Sequence, residues 1–273
     1  MSIVSALTTR QIAALSTTAI QAFSTTDVQA LSSTQVAVLT ASQINAMETS
    51  DLAALQDTQI QAISTAAIRS LISTTITNLS ETQAGALTVT QIGAMQAYAI
   101  EALEASDFAA WGTDQLAALT ARQLAGLTAA GLSDLSETQL TQLTSTQIRG
   151  LTITQLNALS TDDLQSIDIA DLSSTQIRGL NATAALRLST TQKTGFTASQ
   201  ISALTATVFD AMTTGDLDAW ETTQLEAVSI RQAALQTLGC IMQAIVVMAD
   251  ASVQSQQQQQ QQLVALHLSL IHI

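Results

Sequence analysis

Hydrophobic residues recur along this chain with a period of eight. From Leu7 the sequence divides into octads such as LTTRQIAA, LSTTAIQA and FSTTDVQA, and this register continues for twenty octads, to Ser166. Five residues, IDIAD (167–171), then shift the frame, and the octads resume at Leu172 for eight more. A fixed period of this kind is typical of solenoids, in which each repeat is one structural unit of a stack.

Two columns of the repeat are almost uniformly apolar. Position 1 is apolar in all 28 octads and position 6 in 27, with Lys193 as the exception, while position 8 is Ala or Gly in 20. Columns that accept only apolar side chains are typical of a core, and a column of Ala and Gly indicates a close approach of two backbones. We therefore predict a core around positions 1, 6 and 8. Its expected members include Leu7, Ile12, Leu15, Phe23, Leu31, Leu39, Met47, Trp111, Leu143, Phe196 and Trp220.

The polar columns predict the local structure. Position 2 is Ser, Thr or Asn in 21 octads, and position 5 is Gln or Asp in 21. Ser or Thr followed three residues later by Gln is the capping box, in which each side chain satisfies a free backbone amide of the other residue at a helix N-terminus. Each octad is thus predicted to hold a short helix that begins after position 2. The predicted caps include Ser16, Ser24, Ser32, Thr40, Ser136, Thr144 and Ser173.

The period of eight is incompatible with one long helix. Eight residues advance an α-helix by about 800°, so the apolar stripe would rotate by roughly 80° in every octad. We predict an all-α solenoid of short capped helices, one per octad, stabilised by stacking because helices this short are unstable alone. The alternative is a β-solenoid, since Thr and Ile favour strands. In a strand, every second side chain faces the core, so the apolar positions of the octad should be all even or all odd. Positions 6 and 8 are even, but position 1 is odd.

The predicted organisation follows the register and its breaks. An apolar run beginning at Gly239 is shorter than the roughly 20 residues that span a bilayer, so we expect a buried end segment there. A run of Gln beginning at Gln256 is typical of a disordered, low-complexity tail. The predicted segments are a lead-in at 1–6, a solenoid of twenty octads at 7–166, a register break at 167–171, a solenoid of eight octads at 172–235, an apolar end segment at 236–253 and a Gln-rich tail at 254–267.

The last six residues, LSLIHI (268–273), match the conceptual translation of a transposon-end adapter used to prepare sequencing libraries. We expect these residues to be an artefact of a metagenomic reading frame that runs into adapter, and the native C-terminus to be missing. Processing scars of this kind are excluded from fold analysis.

A longer period lies over the octads. Asp51, Asp107 and Asp163 all occupy position 5 and are 56 residues apart, and Asp216 follows after 53 residues because of the frame shift at 167–171. Seven octads thus form a candidate duplication unit or a candidate structural turn.

Composition argues against most kinds of chemistry. The 273 residues hold 21 acidic and 8 basic side chains, for a net charge of −13, and nucleic-acid binding requires a basic face. The single cysteine, Cys240, excludes an internal disulfide. No His lies in the octads, so a Ser-His-Asp or Cys-His site lacks its base there, and no phosphate-binding or Ca²⁺-binding loop pattern occurs. We predict no catalytic, cofactor or metal site and no enzymatic activity.

The remaining charged residues have structural interpretations. The pairs Asp162 with Asp163 and Asp216 with Asp218 are expected to be solvated, and Asp168 and Asp171 to lie in a simple loop rather than at a cation site. Lys193 is expected to mark a distorted octad, with its aliphatic stem covering apolar surface and its ammonium in water.

The tandem LTTxQIxAL octads, with their acidic, Cys-poor and aromatic-poor background, resemble the repeat tracts of very large bacterial surface or secreted proteins, often labelled adhesin-like or haem-utilisation-like. The resemblance covers about residues 5–235. It implies a stalk, spacer or adhesive display surface within a longer chain, located outside the cell or on its surface. Two other functions remain open. One is a soluble α-solenoid that binds a protein or peptide, and the other is ice or surface binding by regular arrays of Thr.

Overall fold

The computed structural model describes residues 3–228, and all regular structure within them is helical. The predicted all-α solenoid of short helices is confirmed. The β-solenoid alternative is wrong for this part of the chain, which contains no strand. A flat Thr array for ice binding would have needed those strands, so that alternative loses its structural basis here.

The chain forms two units, Met1–Leu172 and Ser173–Ile273. The described part of the first unit begins with a 3-10 helix, Ile3–Ala6, and ends with another, Ile169–Asp171. Between them lie α1 (Thr9–Ala13), α2 (Thr17–Gln21), α3 (Thr25–Gln29), α4 (Ser33–Val36), α5 (Ala41–Asn45), α6 (Thr49–Ala53), α7 (Asp57–Ala62), α8 (Thr65–Ile68), α9 (Ser73–Thr77), α10 (Glu81–Ala86), α11 (Val89–Ala94), α12 (Ala97–Ile100), α13 (Ala105–Ala109), α14 (Thr113–Ala117), α15 (Ala121–Ala125), α16 (Ala129–Ser133), α17 (Glu137–Thr141), α18 (Ser145–Gly150), α19 (Ile153–Ala158) and α20 (Thr161–Ser166).

The second unit repeats the same kind of element. Its described helices are α21 (Ser174–Arg178), α22 (Ala182–Arg187), α23 (Thr190–Thr194), α24 (Ala198–Ile201), α25 (Ala206–Phe209), α26 (Thr214–Asp218) and α27 (Thr222–Glu226).

Each α-helix begins immediately after position 2 of its octad. The residue at position 2 has an extended backbone, as an N-cap requires. At α5, Thr40 Oγ1 accepts a hydrogen bond from Gln43 N, and Gln43 Oε1 accepts one from Thr40 N at 2.8 Å. The helix then ends within the octad, where position 1 of the next octad resumes an extended course. Every described α-helix therefore begins at the same octad position and ends before the next octad begins.

The helices of each unit stack at a regular interval. A helix contacts the helix three octads later, as α1 contacts α4, α2 contacts α5 and α15 contacts α18. Most hydrogen bonds between turns join residues 25 to 31 positions apart, and many join residues 28 apart. One turn of the solenoid therefore holds about three and a half octads. The 56-residue spacing of Asp51, Asp107 and Asp163 corresponds to two turns.

The core consists of positions 1, 5 and 6. Most of the predicted core residues lie there: Ile12, Leu31, Leu39, Trp111, Leu143, Phe196 and Trp220 are buried, while Leu7, Leu15, Phe23 and Met47 are half-buried. The prediction for position 8 is wrong in the first unit, where its side chains are exposed or half-buried. Its place is taken by position 5, because the Gln side chains of that column turn inward.

The register break at 167–171 forms a short 3-10 helix rather than an irregular loop. Asp168 caps it, accepting a hydrogen bond from Ala170 N at 2.9 Å. The apolar end segment (236–253), the Gln-rich tail (254–267) and the LSLIHI segment (268–273) lie outside the described residues, as do 229–235 of the last octad.

Candidate functional site

The most regular polar feature is a column of buried glutamines at position 5. Gln91 shows the arrangement. Its Oε1 accepts a hydrogen bond from Thr88 N at 2.8 Å, which caps the start of α11. Its Nε2 donates to Ile60 O and Ile63 O, each at 2.8 Å, at the end of α7 one turn earlier. One side chain thus satisfies the N-terminus of its own helix and the C-terminus of a helix in the preceding turn.

The same inter-turn bond recurs along both units, and we call this set the glutamine ladder. Its members donate through Nε2 to carbonyl oxygens 28 to 31 residues earlier, at 2.6 to 3.0 Å for the best-placed partners. Helix C-termini leave carbonyl groups without intrahelical partners, so the ladder supplies donors where the fold requires them. Its members include Gln35, Gln43, Gln59, Gln83, Gln91, Gln115, Gln123, Gln139, Gln147, Gln155 and Gln224.

At some octads where position 5 lacks Gln, other side chains bond between turns. At Thr75, Asn45 of the preceding turn accepts from Ile72 N at 3.3 Å and from Thr75 Oγ1 at 2.8 Å. At Ala99, the neighbouring Tyr98 hydroxyl donates to Leu71 O at 3.1 Å, the carbonyl 28 residues before position 5. In these octads too, side chains from a neighbouring turn provide hydrogen-bond partners for backbone groups, as is usual for buried polar groups.

Glu101 makes the corresponding inter-turn bonds in the octad where position 5 is Gly131. Its carboxylate accepts from Thr128 N at 2.9 Å and from Thr128 Oγ1 at 2.5 Å. Glu101 and Asn45 both occupy position 7, so this exposed column also has a structural use. Substitutions at position 7 can therefore affect the stability of the fold.

The two tryptophans shift the ladder by one residue. Trp111 Nε1 donates to Ala84 O at 2.9 Å, the carbonyl that Gln115 would otherwise bind 31 residues earlier. Gln115 instead donates to Gly85 O and Leu87 O. Trp111 also packs edge-on against Phe108, with ring centroids 5.1 Å apart.

The second unit repeats this arrangement. Trp220 Nε1 donates to Lys193 O at 2.9 Å, and Gln224 donates to Thr194 O and Phe196 O. Lys193 thus occupies the place that Ala84 occupies beneath Trp111.

Lys193 and Asp216 form a buried ion pair, which corrects two predictions. Lys193 Nζ lies 3.4 Å from Asp216 Oδ2 and donates to Ala211 O at 2.9 Å. The Lys193 side chain is 10% exposed and that of Asp216 is 2% exposed, so the ammonium is directed into the interior rather than into water, and Asp216 is not solvated, unlike its exposed neighbour Asp218. Burial alone raises the pKa of Asp216, but hydrogen bonds from Thr213 and the charge of Lys193 lower it below 3.8.

Asp51 is buried at position 5 without such compensation. Burial raises its pKa above 3.8, and the nearby carboxylates of Glu48 and Asp27 raise it further. Burial and the charge of Glu101 likewise raise the pKa of Asp134. A carboxylate cannot donate to carbonyl oxygens, so Asp51 cannot make the inter-turn bonds of the glutamine ladder.

Glycine at position 8 marks the predicted close approach of backbones. A Cβ placed on Gly150 would lie 2.8 Å from both Cα and O of Ala121, one turn earlier. A Cβ on Gly126 would overlap the Cβ of Ala97 in the same way. Position 8 therefore lies at the contact between turns, although it is not buried in the core.

A groove of about 450 Å³ opens on the surface of the first unit. Arg69 lies in one turn, Gly93–Ala97 lie in the next, and Thr120–Gly126, which includes Arg122, lies in the third. The groove thus crosses three consecutive turns, and no Asp or Glu lines it. Sequence analysis missed this groove because its lining residues come from octads that are adjacent only through the stack.

The predicted helix caps lie at helix N-termini. The hydroxyl of each accepts a hydrogen bond from the backbone amide three residues later, at 3.1 to 3.3 Å. These residues are Ser16, Ser24, Ser32, Thr40, Ser136, Thr144 and Ser173.

Comparison with known sequences agrees with the repeat. Residues 4–41 match the sequence model of the ALTTAQ repeat. The chain shows no match to a curated protein or to a solved structure. The ALTTAQ-repeat stretch contains the first four octads, and the octads that follow it repeat the same caps and the same glutamine ladder. The chain is therefore a repeat protein with a helical architecture.

Within residues 3–228 no group of three or more His, Cys, Asp or Glu side chains is placed to hold a metal ion. The helices of the same part of the chain are too short and too polar to cross a bilayer.

Proposed function

We propose that this chain is a non-enzymatic structural tract of a larger bacterial surface or secreted protein, where it serves as a stalk, spacer or display surface. The glutamine ladder carries the proposal. The most abundant buried polar side chains form hydrogen bonds between turns, so they stabilise the stack rather than take part in a reaction. Stability in such stacks is approximately a sum of repeat and nearest-neighbour terms, which suits a tract of adjustable length.

The surface location follows from the resemblance of the LTTxQIxAL octads to bacterial surface and secreted proteins. It is tested on cells that express the whole gene from which this tract comes, with an antibody raised against residues 3–228. We expect intact cells to bind the antibody and to lose the epitope on treatment with external protease. An epitope reached only after lysis would overturn the location.

The spacer role is tested by deleting residues 63–118, which removes seven octads and therefore two turns. We expect the shortened tract to keep its helical circular dichroism spectrum and its surface display, and to place a C-terminally fused domain closer to the cell. An unchanged distance would contradict a spacer. Loss of display in a variant that still folds would show that the deleted turns do more than span a distance.

A second function, a scaffold that binds a protein or peptide, is favoured by one observation. The groove at Arg69 and Arg122 is positively charged on a chain whose net charge is −13. A spacer does not need such a groove.

A further inference from the structure

The groove across three turns of the first unit concentrates unpaired positive charge. Arg69 and Arg122 are two of only eight basic residues in the chain, and both are exposed. Among the described residues, neither guanidinium takes part in an ion pair or a hydrogen bond. By comparison, Arg149 Nε donates to Asp171 O at 3.2 Å within the fold. The two arginines of the groove therefore keep their donors available for a ligand.

Four of the residues that line the groove are small. Gly93, Ala94, Ala97 and Gly126 leave room for a chain to lie close to the solenoid backbone. Gln96 also lines the groove as the N-cap residue of α12, and its side chain makes no cap hydrogen bond. Its carboxamide is left with both a donor and an acceptor for a peptide group.

The separation of the arginines sets the size of the ligand. Arg69 and Arg122 lie in octads two turns apart, and helices pack at interaxial distances of about 8–10 Å. Their backbones are thus roughly 16–20 Å apart, the length of about five or six residues of extended peptide at about 3.3 Å each. An extended ligand with several carboxylates matches this span better than a single small anion.

We propose that this groove binds an extended acidic peptide segment of a partner protein. Arg69 and Arg122 pair with its carboxylates in the bidentate geometry that suits guanidinium groups, and Gln96 bonds its main chain. No aromatic side chain lines the groove, so it lacks the stacking surface that single-stranded nucleic acids use. The proposal goes beyond the spacer function, and its failure would leave that function intact.

The test uses the full chain and a synthetic probe, acetylated and amidated hexaglutamate, followed by the amide resonances of the protein. We expect saturable shifts at Gly93 and Gly126, which line the groove, and none at Gly112, which lies outside it. Hexaglutamine should cause no shift. Inorganic phosphate should bind at least about tenfold more weakly than hexaglutamate, since it reaches one arginine at a time.

The chain offers matched control variants. Arg69→Gln and Arg122→Gln should each weaken hexaglutamate binding about three- to fivefold, as expected for an exposed ion pair. The double variant should weaken it about nine- to twenty-fivefold, because free-energy losses at separate sites add. Arg178→Gln changes the same octad position as Arg69→Gln, and Arg10→Gln changes the same position as Arg122→Gln, both outside the groove. These controls should bind as the original chain does.

Several results would overturn the proposal. They are the absence of saturable shifts, shifts of equal size with hexaglutamine, phosphate binding as tight as that of hexaglutamate, or equal losses in the control variants. Circular dichroism of each variant verifies that a loss of binding does not reflect unfolding.

Discussion

Gln91 Nε2 lies 2.8 Å from Ile63 O, a carbonyl 28 residues earlier in the chain and one turn earlier in the stack. This pair shows how an octad that is local in sequence becomes a long-range contact. It also identifies the amide group, rather than the size of the side chain, as the feature that position 5 requires.

Gln91→Glu should therefore be strongly destabilising. The substitution keeps the acceptor that caps α11, but it removes the donor and places a carboxylate against two carbonyl oxygens. We expect a loss of about 2–4 kcal/mol in the free energy of unfolding, measured with urea, since each buried unsatisfied group costs about 1–3 kcal/mol.

Gln11→Glu is the matched control for this prediction. Gln11 makes the same cap bond, to Thr8 N at 2.8 Å, but it is exposed. We expect a change below about 0.5 kcal/mol there, as for ordinary surface substitutions. Equal effects at the two sites would show that the inter-turn bonds add nothing.

Asp51→Gln should stabilise the first unit. It removes a buried carboxylate and supplies an Nε2 for Ile20 O and Phe23 O, which lie 31 and 28 residues earlier. We expect a gain of about 1–3 kcal/mol at neutral pH, seen as a higher thermal midpoint. Asp57→Gln makes the same charge change at an exposed position and should leave the midpoint nearly unchanged.

The pH dependence of stability gives a further test at Asp51. Because its folded pKa is raised above 3.8, the folded state binds a proton more tightly than the unfolded state does. Its ionisation thus destabilises the fold at neutral pH, and stability should rise as pH falls through the folded pKa towards 3.8. Asp51→Gln should reduce this rise, and the remainder should come from Asp134, whose pKa is also raised. A rise of the same size in the variant would contradict the assignment.

Lys193→Ala should destabilise the second unit by about 3–5 kcal/mol, because it leaves Asp216 buried without its cation. Alanine fits beneath a tryptophan in this fold, as Ala84 does beneath Trp111. The double variant Lys193→Ala/Asp216→Asn should recover most of the loss, as measured in urea unfolding followed by circular dichroism. No recovery would mean that Lys193 acts through packing rather than charge.

Acid titration separates the same two explanations. The pKa of Asp216 is lowered, so its contribution to stability is present above pH 3.8 and is lost as pH falls through the folded pKa. Lys193→Ala should raise that pKa and reduce or reverse the loss.

Gly150→Ala and Gly93→Ala should have opposite signs. The new methyl group at Gly150 meets the backbone of Ala121 and should destabilise by about 1–3 kcal/mol. At Gly93 the nearest atom is Ala118 O at 3.6 Å, an ordinary contact. There the higher helix propensity of Ala should stabilise by up to about 1 kcal/mol. Thermal midpoints of the two variants decide between this account and a generic effect of glycine replacement.

The helices were predictable because their causes lie within one octad. Ser or Thr at position 2 and Gln at position 5 meet across three residues, so the capping box is visible in the sequence. The second role of the same Gln was not visible, because it depends on the octads that become neighbours in the stack. Position 8 was wrongly assigned to the core for the same reason. A column of Ala and Gly is found at tight contacts between turns as well as in a buried core.

The pairing of Lys193 with Asp216 was hidden in a similar way. Lys193 breaks the apolar pattern of position 6, but Asp216 fits the pattern of position 5, and the two residues are 23 residues apart in different octads. Only the length of the turn brings them together. The 56-residue spacing of Asp51 and Asp107 was the one sequence signal of that length, and it proves to be two turns rather than one. The arginine groove had no comparable signal, because Arg69 and Arg122 occupy different columns.

A turn of three and a half octads fixes the angle between successive octads of the first unit. Each octad advances the chain by two sevenths of a turn, or about 103°, so seven octads return to the same direction, much as seven residues do in a coiled coil. Gain or loss of one octad would keep every cap and every ladder bond available, but it would rotate all later surface features by about 103°. Recombination in blocks of seven octads would preserve the direction in which each face points. A change in the number of octads therefore alters the length alone when octads are exchanged in sevens. Exchange of one octad alters both the length and the orientation of the later surface features.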